Sequence, residues 1–305
     1  MRSILTRSGI KAFGYLASSL LGSLMIAAPT HAQSSSTEII VTGSEDVDAK
    51  QLTAFSHSVT VETSGQVARF HDPICPASIG LDQEHNGLVA QAIVLDVQDV
   101  GGRVGKPGCH PNLTAVFVAD GHAFVKSLFD AKSPSVATMT LDQQKQLLHQ
   151  AGPTFAITST ELIGREGDRL RPGALSVSNA STEFLQVRSA SIIFKPTRQD
   201  INGVVVVIET GSAVGKSLRQ LADYVAMRGL AKTKDAPSPE RGDTILRLFS
   251  KGTKSLPASM TALDEAYLRA IYQGSAPSDG SLQPARRAKS SAAEKAEDRR
   301  TMRSK

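Results

Sequence analysis

The sequence predicts a mixed α/β fold in which helices cover a mixed sheet. Two apolar, β-branched runs, residues 113–119 and 204–209, are typical of buried strands. Helical patterns precede and follow these runs, and several of them begin at a Ser, Thr or Asp that can cap the first turn. Because strands and helices alternate, we expect a single globular domain over residues 67–274.

The first 32 residues have the pattern of a secretory signal. Three basic residues precede an apolar run over residues 13–28, and a small-x-small site ends at Ala32. The pattern predicts cleavage after Ala32 and a protein that is periplasmic or secreted. Retention of the segment as a membrane anchor is the alternative interpretation.

Both ends of the remaining chain differ from its body. Residues 33–66 are rich in Ser and Thr and predict an N-terminal arm, which includes a possible short strand over residues 38–43. Residues 275–305 carry eight basic and four acidic side chains, a net charge of 8 − 4 = +4, and have few large apolar groups. This composition predicts a disordered tail that could associate with an anionic envelope surface. The body is near neutrality, so nucleic-acid binding is not expected.

Within the domain, the elements can be read in order from caps and periodicity. Strands are predicted at residues 67–70, 113–119 and 204–209, and over parts of 154–195 that include 184–194. The first long helix is expected to bury Leu88, Val89, Ala92 and Ile93, and a short helix is expected at 244–249. Helix caps are predicted at Asp82, Asp120, Thr140, Ser217 and Thr261.

Cys75 and Cys109 are the only cysteines, and in an exported protein they predict one disulfide. A metal site is the alternative, because His71 and His110 lie close to them in sequence. The spacing of these four residues matches no familiar zinc pattern, so the disulfide is favoured.

The segment from Gly211 to Ser217 lies between a predicted strand and a predicted helix, where a phosphate-binding loop could occur. It is one residue too short, since Thr210 stands where the first glycine is needed. A strand-to-helix turn is therefore predicted.

No catalytic, metal-binding or cofactor-binding set can be assigned from spacing alone. A site built from His71, His85, His110 and His122 would need the fold to assemble it. Asp120 follows a predicted strand, where active sites often lie, so Asp120 and His122 mark the place of a possible hydrolase site. Arg198 and Asp200 are interpreted as an ion pair in a turn.

The C-terminal third resembles an uncharacterised family of secreted proteobacterial proteins, on residues 201–209, 218–231, 244–249 and 260–272. The same order of strand, helix, turn and closing helix is similar to a metzincin metallopeptidase. When the metzincin motif is anchored on Gly229, all three of its His ligands and its Glu are replaced by other residues, and the alanine at two of the ligand positions cannot bind zinc. The resemblance therefore implies a peptidase-like fold without a zinc ion. The positions concerned are Ala222, Asp223, Ala226 and Lys232.

These observations predict an exported, non-catalytic envelope protein that binds another protein or a cell-wall component. Two alternatives stay open. One is a hydrolase with a site near Asp120 and His122, and the other is a structural protein tethered by its basic tail.

Overall fold

The computed structural model describes residues 47–63, 65–137, 139–169, 171–172, 183–184, 196–234, 243–250 and 256–273. The fold is the predicted mixed α/β fold. The predicted signal, the possible strand at 38–43, the basic tail and most of the 184–194 segment lie outside these ranges. Within the ranges, no helix combines the length and the apolar character that a membrane span requires.

A four-stranded sheet organises the domain. Strands β3 (Pro76–Ile79), β4 (Leu113–Val118) and β8 (Thr197–Glu209) are parallel, and β5 (Thr154–Gly164) runs antiparallel to β8. The spatial order of the strands is β3, β4, β8, β5. The prediction of a central strand at 204–209 is confirmed. Its continuous apolar run is explained by burial on both faces, because alternate residues enter two separate cores.

Helices α2 (Gln83–Asp99) and α6 (Leu218–Leu230) cover one face of the sheet. Asp82 and Ser217 cap them as predicted, through bonds from the backbone N–H groups of His85 and Gln220. Leu88 was expected on the buried face of α2 but is 47% exposed. The helix buries a narrower stripe than predicted, formed by Val89, Ile93, Asp96 and Val97.

Helices α3 (Gly121–Asp130) and α4 (Leu141–Leu148) lie at the second face. Asp120 accepts a hydrogen bond from Ala123 N, and Thr140 forms the predicted capping box with Gln143. This second core is smaller than the first, since it is centred on Val125, Phe155 and Val207.

The prediction that residues 33–66 form an arm outside the domain is wrong for its second half. Helix α1 (Ala49–Val59) buries Leu52, Phe55 and Val59 in the main core, and the Phe55 ring packs edge-on against Tyr267 at 5.7 Å. Their spacing of three and four residues is helical, but the surrounding Ser and Thr residues concealed it. The domain therefore begins before residue 67.

A small hairpin, β1 (Glu62–Thr63) with β2 (Gln66–Val67), follows α1. The predicted strand at 67–70 is reduced to Val67 and to one bridge between Arg69 and Asp200. A second short pair joins β6 (Arg171–Pro172) to β7 (Glu183–Phe184).

The chain after β8 contains short elements that close the main core. Helix α5 (Thr210–Ala213) occupies the predicted strand-to-helix turn, and Lys216 donates a hydrogen bond to Ser212 O. A 3-10 helix (Ile245–Phe249) and α7 (Ala262–Tyr272) then follow, as predicted for this stretch.

Cys75 and Cys109 form the predicted disulfide, with their Cα atoms 6.1 Å apart. The bond joins the start of β3 to the loop that precedes β4. Because both sulfur atoms are used in it, they cannot serve as zinc ligands beside His71 and His110.

Candidate functional site

Strands β4 and β8 are parallel neighbours, so their carboxyl ends meet at one edge of the sheet. The chain leaves these two ends in opposite directions. After β4 it enters α3 on the smaller core, whereas after β8 it continues to α6 on the larger one. In open α/β sheets, such a divergence leaves a crevice at the carboxyl edge where ligands bind.

Three ionisable side chains meet at this edge: Asp120, His122 and Glu209. One potential ligand atom of each lies within 4.8 Å of the others. Asp120 and His122 are exposed and Glu209 is half-buried, so the cluster is open to solvent. Asp120 and His122 come from the junction of β4 and α3, and Glu209 is the last residue of β8.

Each of the three side chains is oriented by a backbone group. Ala123 N donates to Asp120 Oδ1 at 2.9 Å, and Gly121 N donates to Glu209 Oε1 at 3.1 Å. The Nε2 atom of His122 lies 2.9 Å from the carbonyl oxygen of Gln150. A carbonyl accepts only, so Nε2 carries the hydrogen and the neutral ring keeps its lone pair on Nδ1.

The packing beneath the cluster requires a glycine at position 121. A Cβ atom there would lie 2.5 Å from a ring carbon of Phe155 and 3.2 Å from Glu209 Oε1. The ring of His122 also packs edge-on against Phe155, with the centroids 4.7 Å apart. The close approach at Gly121 thus brings the helix start onto β5 and β8.

Two carboxylate oxygens and one imidazole nitrogen form a donor set that suits zinc and neighbouring transition metals. Calcium and magnesium prefer oxygen ligands alone. Three protein ligands on an exposed surface would leave coordination positions for water or for a group from another molecule.

The structure brings together two residues that the sequence had marked, Asp120 and His122. Glu209 was missed, although its position at the end of the central strand is a signal for a site at this edge. No group of three potential ligands among the described residues contains His71, His85 or His110. A site built from four histidines is therefore not formed there.

His71 instead takes part in a charged cluster around Asp200. Its Nδ1 lies 2.7 Å from Asp200 Oδ1, and Arg69 Nε donates to its Nε2 at 3.2 Å. The predicted pair of Arg198 with Asp200 is confirmed, with contacts of 2.9 and 3.1 Å, but it lies within β8 and not in a turn. Burial alone would raise the pKa of Asp200, but the bonds from His71 and Arg198 outweigh it and lower that pKa.

The positions that correspond to the metzincin motif lie on or just after α6. Ala222, Asp223 and Ala226 are each 0% exposed, inside the main core. Lys232 is half-buried, and burial lowers its pKa.

A groove of about 250 Å³ is lined by Asp243 and residues 256–261, and none of the three clustered residues contributes to this lining. Asp243 is the one ionisable side chain among the described residues that line the groove, and it is 86% exposed. The described lining of the groove therefore contains no cluster of ionisable groups. The carboxyl edge of the sheet is the better candidate for a functional site. Comparison with protein families, curated proteins and solved structures finds no match for this chain.

Proposed function

We propose that this is an exported protein that binds a divalent transition-metal ion of the zinc type through Asp120, His122 and Glu209. The bound ion uses its open positions to hold an acidic group of another protein or of a cell-wall component. The observation that carries the proposal is the set of three ligand atoms within 4.8 Å, each on a side chain oriented by the backbone.

Two further observations support export and a binding role. The disulfide between Cys75 and Cys109 suits an oxidising compartment, in agreement with the signal pattern of residues 1–32. The ligand atoms lie on an open surface, where a large partner can reach the metal directly. Enzyme active sites, by contrast, usually lie in clefts that bury most of the substrate.

Calorimetric titration of the mature protein with zinc chloride tests the site. We expect one strong site per chain, weakened at least tenfold in His122→Ala and in Glu209→Gln. The glutamine retains an oxygen that can accept from Gly121 N, so the local fold is preserved. His57→Ala, a change at an exposed histidine on α1, is the matched control. Zinc affinity that is equal in all four proteins would contradict the proposal.

Hydrolysis is the second candidate, because three protein ligands with an open position also suit a metal-activated water. Assays of peptide, ester and cell-wall glycan cleavage, with zinc or with a chelator, distinguish the two roles. Zinc-dependent turnover that is lost in Glu209→Gln would favour the enzyme. Retention of an acidic partner by the zinc-loaded protein, without turnover, favours the binding role.

A further inference from the structure

Two buried carboxyl groups contact the same guanidinium group where α2 packs on α6. Asp96 of α2 is 2% exposed and Asp223 of α6 is 0% exposed. Arg219, one turn before Asp223, contacts both of them: its Nη2 bonds to Asp96 Oδ1, and its Nε lies 2.7 Å from Asp223 Oδ1. Arg219 reaches the pair from the surface, since 40% of its side chain is exposed.

The charges of this cluster do not balance if both acids are ionised. One guanidinium faces two carboxylates, which leaves a net negative charge in the core, and an uncompensated buried charge is costly. Strands β3 and β4 add no ionisable side chain. Other charged groups on the surrounding elements are engaged elsewhere: Arg228 with Thr233 O, Arg247 with Asp243, Arg269 with Glu265, Asp264 with Ile245 N, Arg198 with Asp200, and Glu209 with Gly121 N. Glu161 of β5 bonds to Asn202 on the surface.

The hydrogen-bond pattern shows where the missing positive charge can sit. Asp96 Oδ2 is buried and makes no hydrogen bond among the described atoms, and the buried Asp223 Oδ1 has among them only the ion-pair contact with Arg219 Nε. A proton held by Asp96 and donated to Asp223 would satisfy both atoms and reduce the buried charge to zero.

The electrostatics agree with this arrangement. Burial, and then the charge of Asp223, raise the pKa of Asp96 to about 8 despite the nearby Arg219. Burial also raises the pKa of Asp223, and the bonds from Met260 N and Arg219 offset part of that effect. Asp96 is therefore the acid that holds the proton.

We infer that Asp96 and Asp223 share one proton at neutral pH and that this proton fastens α2 to α6, so that the domain loses stability in mild alkali. The connection extends further, because Met260 N donates to Asp223 Oδ2 at 2.5 Å. The pair thus also holds the segment that leads into α7.

The sign of the pH dependence follows from proton linkage. In the unfolded chain Asp96 titrates near its ordinary value of 3.8, whereas in the folded chain it keeps its proton to about pH 8. Between these values the folded state binds more protons, so this group lowers the stability of the fold as the pH rises. Carboxylates in surface ion pairs act in the opposite direction.

Urea unfolding of the mature protein at pH 5.5 and pH 8.5 tests the inference. We expect the wild-type midpoint to fall at the higher pH and the midpoint of Asp96→Asn to change much less, because asparagine donates to Asp223 without a titratable proton. At pH 8.5 the variant should therefore be more stable than the wild type. Asp99→Asn, an exposed change on the same helix, should follow the wild type.

A second measurement keeps the test decisive if Asp96→Asn does not fold. Carbon-13 NMR of the aspartate carboxyl groups in the folded wild type should show one carboxyl that titrates above pH 7. In Arg219→Gln its midpoint should move to still higher pH, since the nearby cation is lost. The inference is overturned if every carboxyl titrates below pH 5, or if Asp96→Asn lowers the midpoint equally at both pH values.

Discussion

Gly229 carries only a hydrogen atom as its side chain, and this lets α6 approach the sheet closely. A Cβ atom at this position would lie 2.4 Å from Leu113 Cδ1 and 3.2 Å from Leu113 Cγ. Leu113 is 0% exposed, so its side chain has no free space into which it can move. The absence of a side chain at 229 therefore permits α6 to pack on β4.

Alanine at position 229 should destabilise the domain by about 1–3 kcal/mol, because it overpacks this contact. Gly87 is the matched control, since it is exposed on α2 and a Cβ there would meet no atom within 4 Å. Gly87→Ala should instead stabilise the protein by about 0.5–1 kcal/mol through helix propensity. Urea unfolding measures both changes, and a neutral Gly229→Ala would show that the contact relaxes easily.

Among the elements, the first turn of α7 also forms hydrogen bonds with the segment that contains the 3-10 helix. The hydroxyl of Thr261 accepts from Asp264 N and also lies 3.1 Å from Asp243 O. Asp264 in turn accepts hydrogen bonds from Thr244 Oγ1 and Ile245 N, at 2.5 and 2.8 Å. The first turn of α7 is thereby joined to the 3-10 helix, although Ile245 and Asp264 are 19 residues apart in the sequence.

Substitution of Thr261 by alanine should cost about 1–2 kcal/mol, the upper part of the range for an N-cap, because the hydrogen bond from its hydroxyl to Asp243 O is lost as well. Thr140→Ala removes a capping box of the same type at the exposed start of α4. We expect it to cost about 0.5–1 kcal/mol. Equal losses in the two variants, measured by urea unfolding, would mean that the bond from Thr261 to Asp243 contributes nothing.

At the scale of the whole molecule, the disulfide links the edge strand β3 to the loop that precedes β4. Just before β3, Ile74 N donates to Arg103 O and Gly105 N donates to Ile74 O, so the loop before β4 covers the start of this edge strand. Cys109 lies in that loop and is bonded to Cys75. The covalent bond therefore holds a loop that would otherwise depend on a few backbone hydrogen bonds.

Replacement of both cysteines by serine should lower the free energy of unfolding by about 4 kcal/mol, the chain-entropy value for a closed loop of this length. The sequence separation that enters this value is 34 residues. Urea unfolding of the double variant, compared with the oxidised wild type, gives the difference. An unchanged midpoint would indicate that the unfolded state is already constrained in this region. A thiol assay on the folded wild type should detect no free thiol.

Local chemistry made much of the fold predictable from the sequence. The caps at Asp82, Thr140 and Ser217 depend on residues three positions apart, and the burial of 204–209 is visible in its composition. The disulfide followed from the number of cysteines. Helix α1 is not predicted from the Ser- and Thr-rich composition of residues 33–66, although its buried apolar residues have helical spacing.

The addition of Glu209 to the candidate site, and the buried acid pair, were decided by the tertiary structure alone. Gly121 and Glu209 are 88 residues apart, and Asp96 and Arg219 are 123 apart. No local pattern links such residues, since their contact depends on which strands become neighbours and which helices cover each face. The sequence by itself determined the helix caps, the central strand and the disulfide. The order of the strands determined which charged groups meet, because parallel pairing of β4 with β8 brings distant segments to one edge.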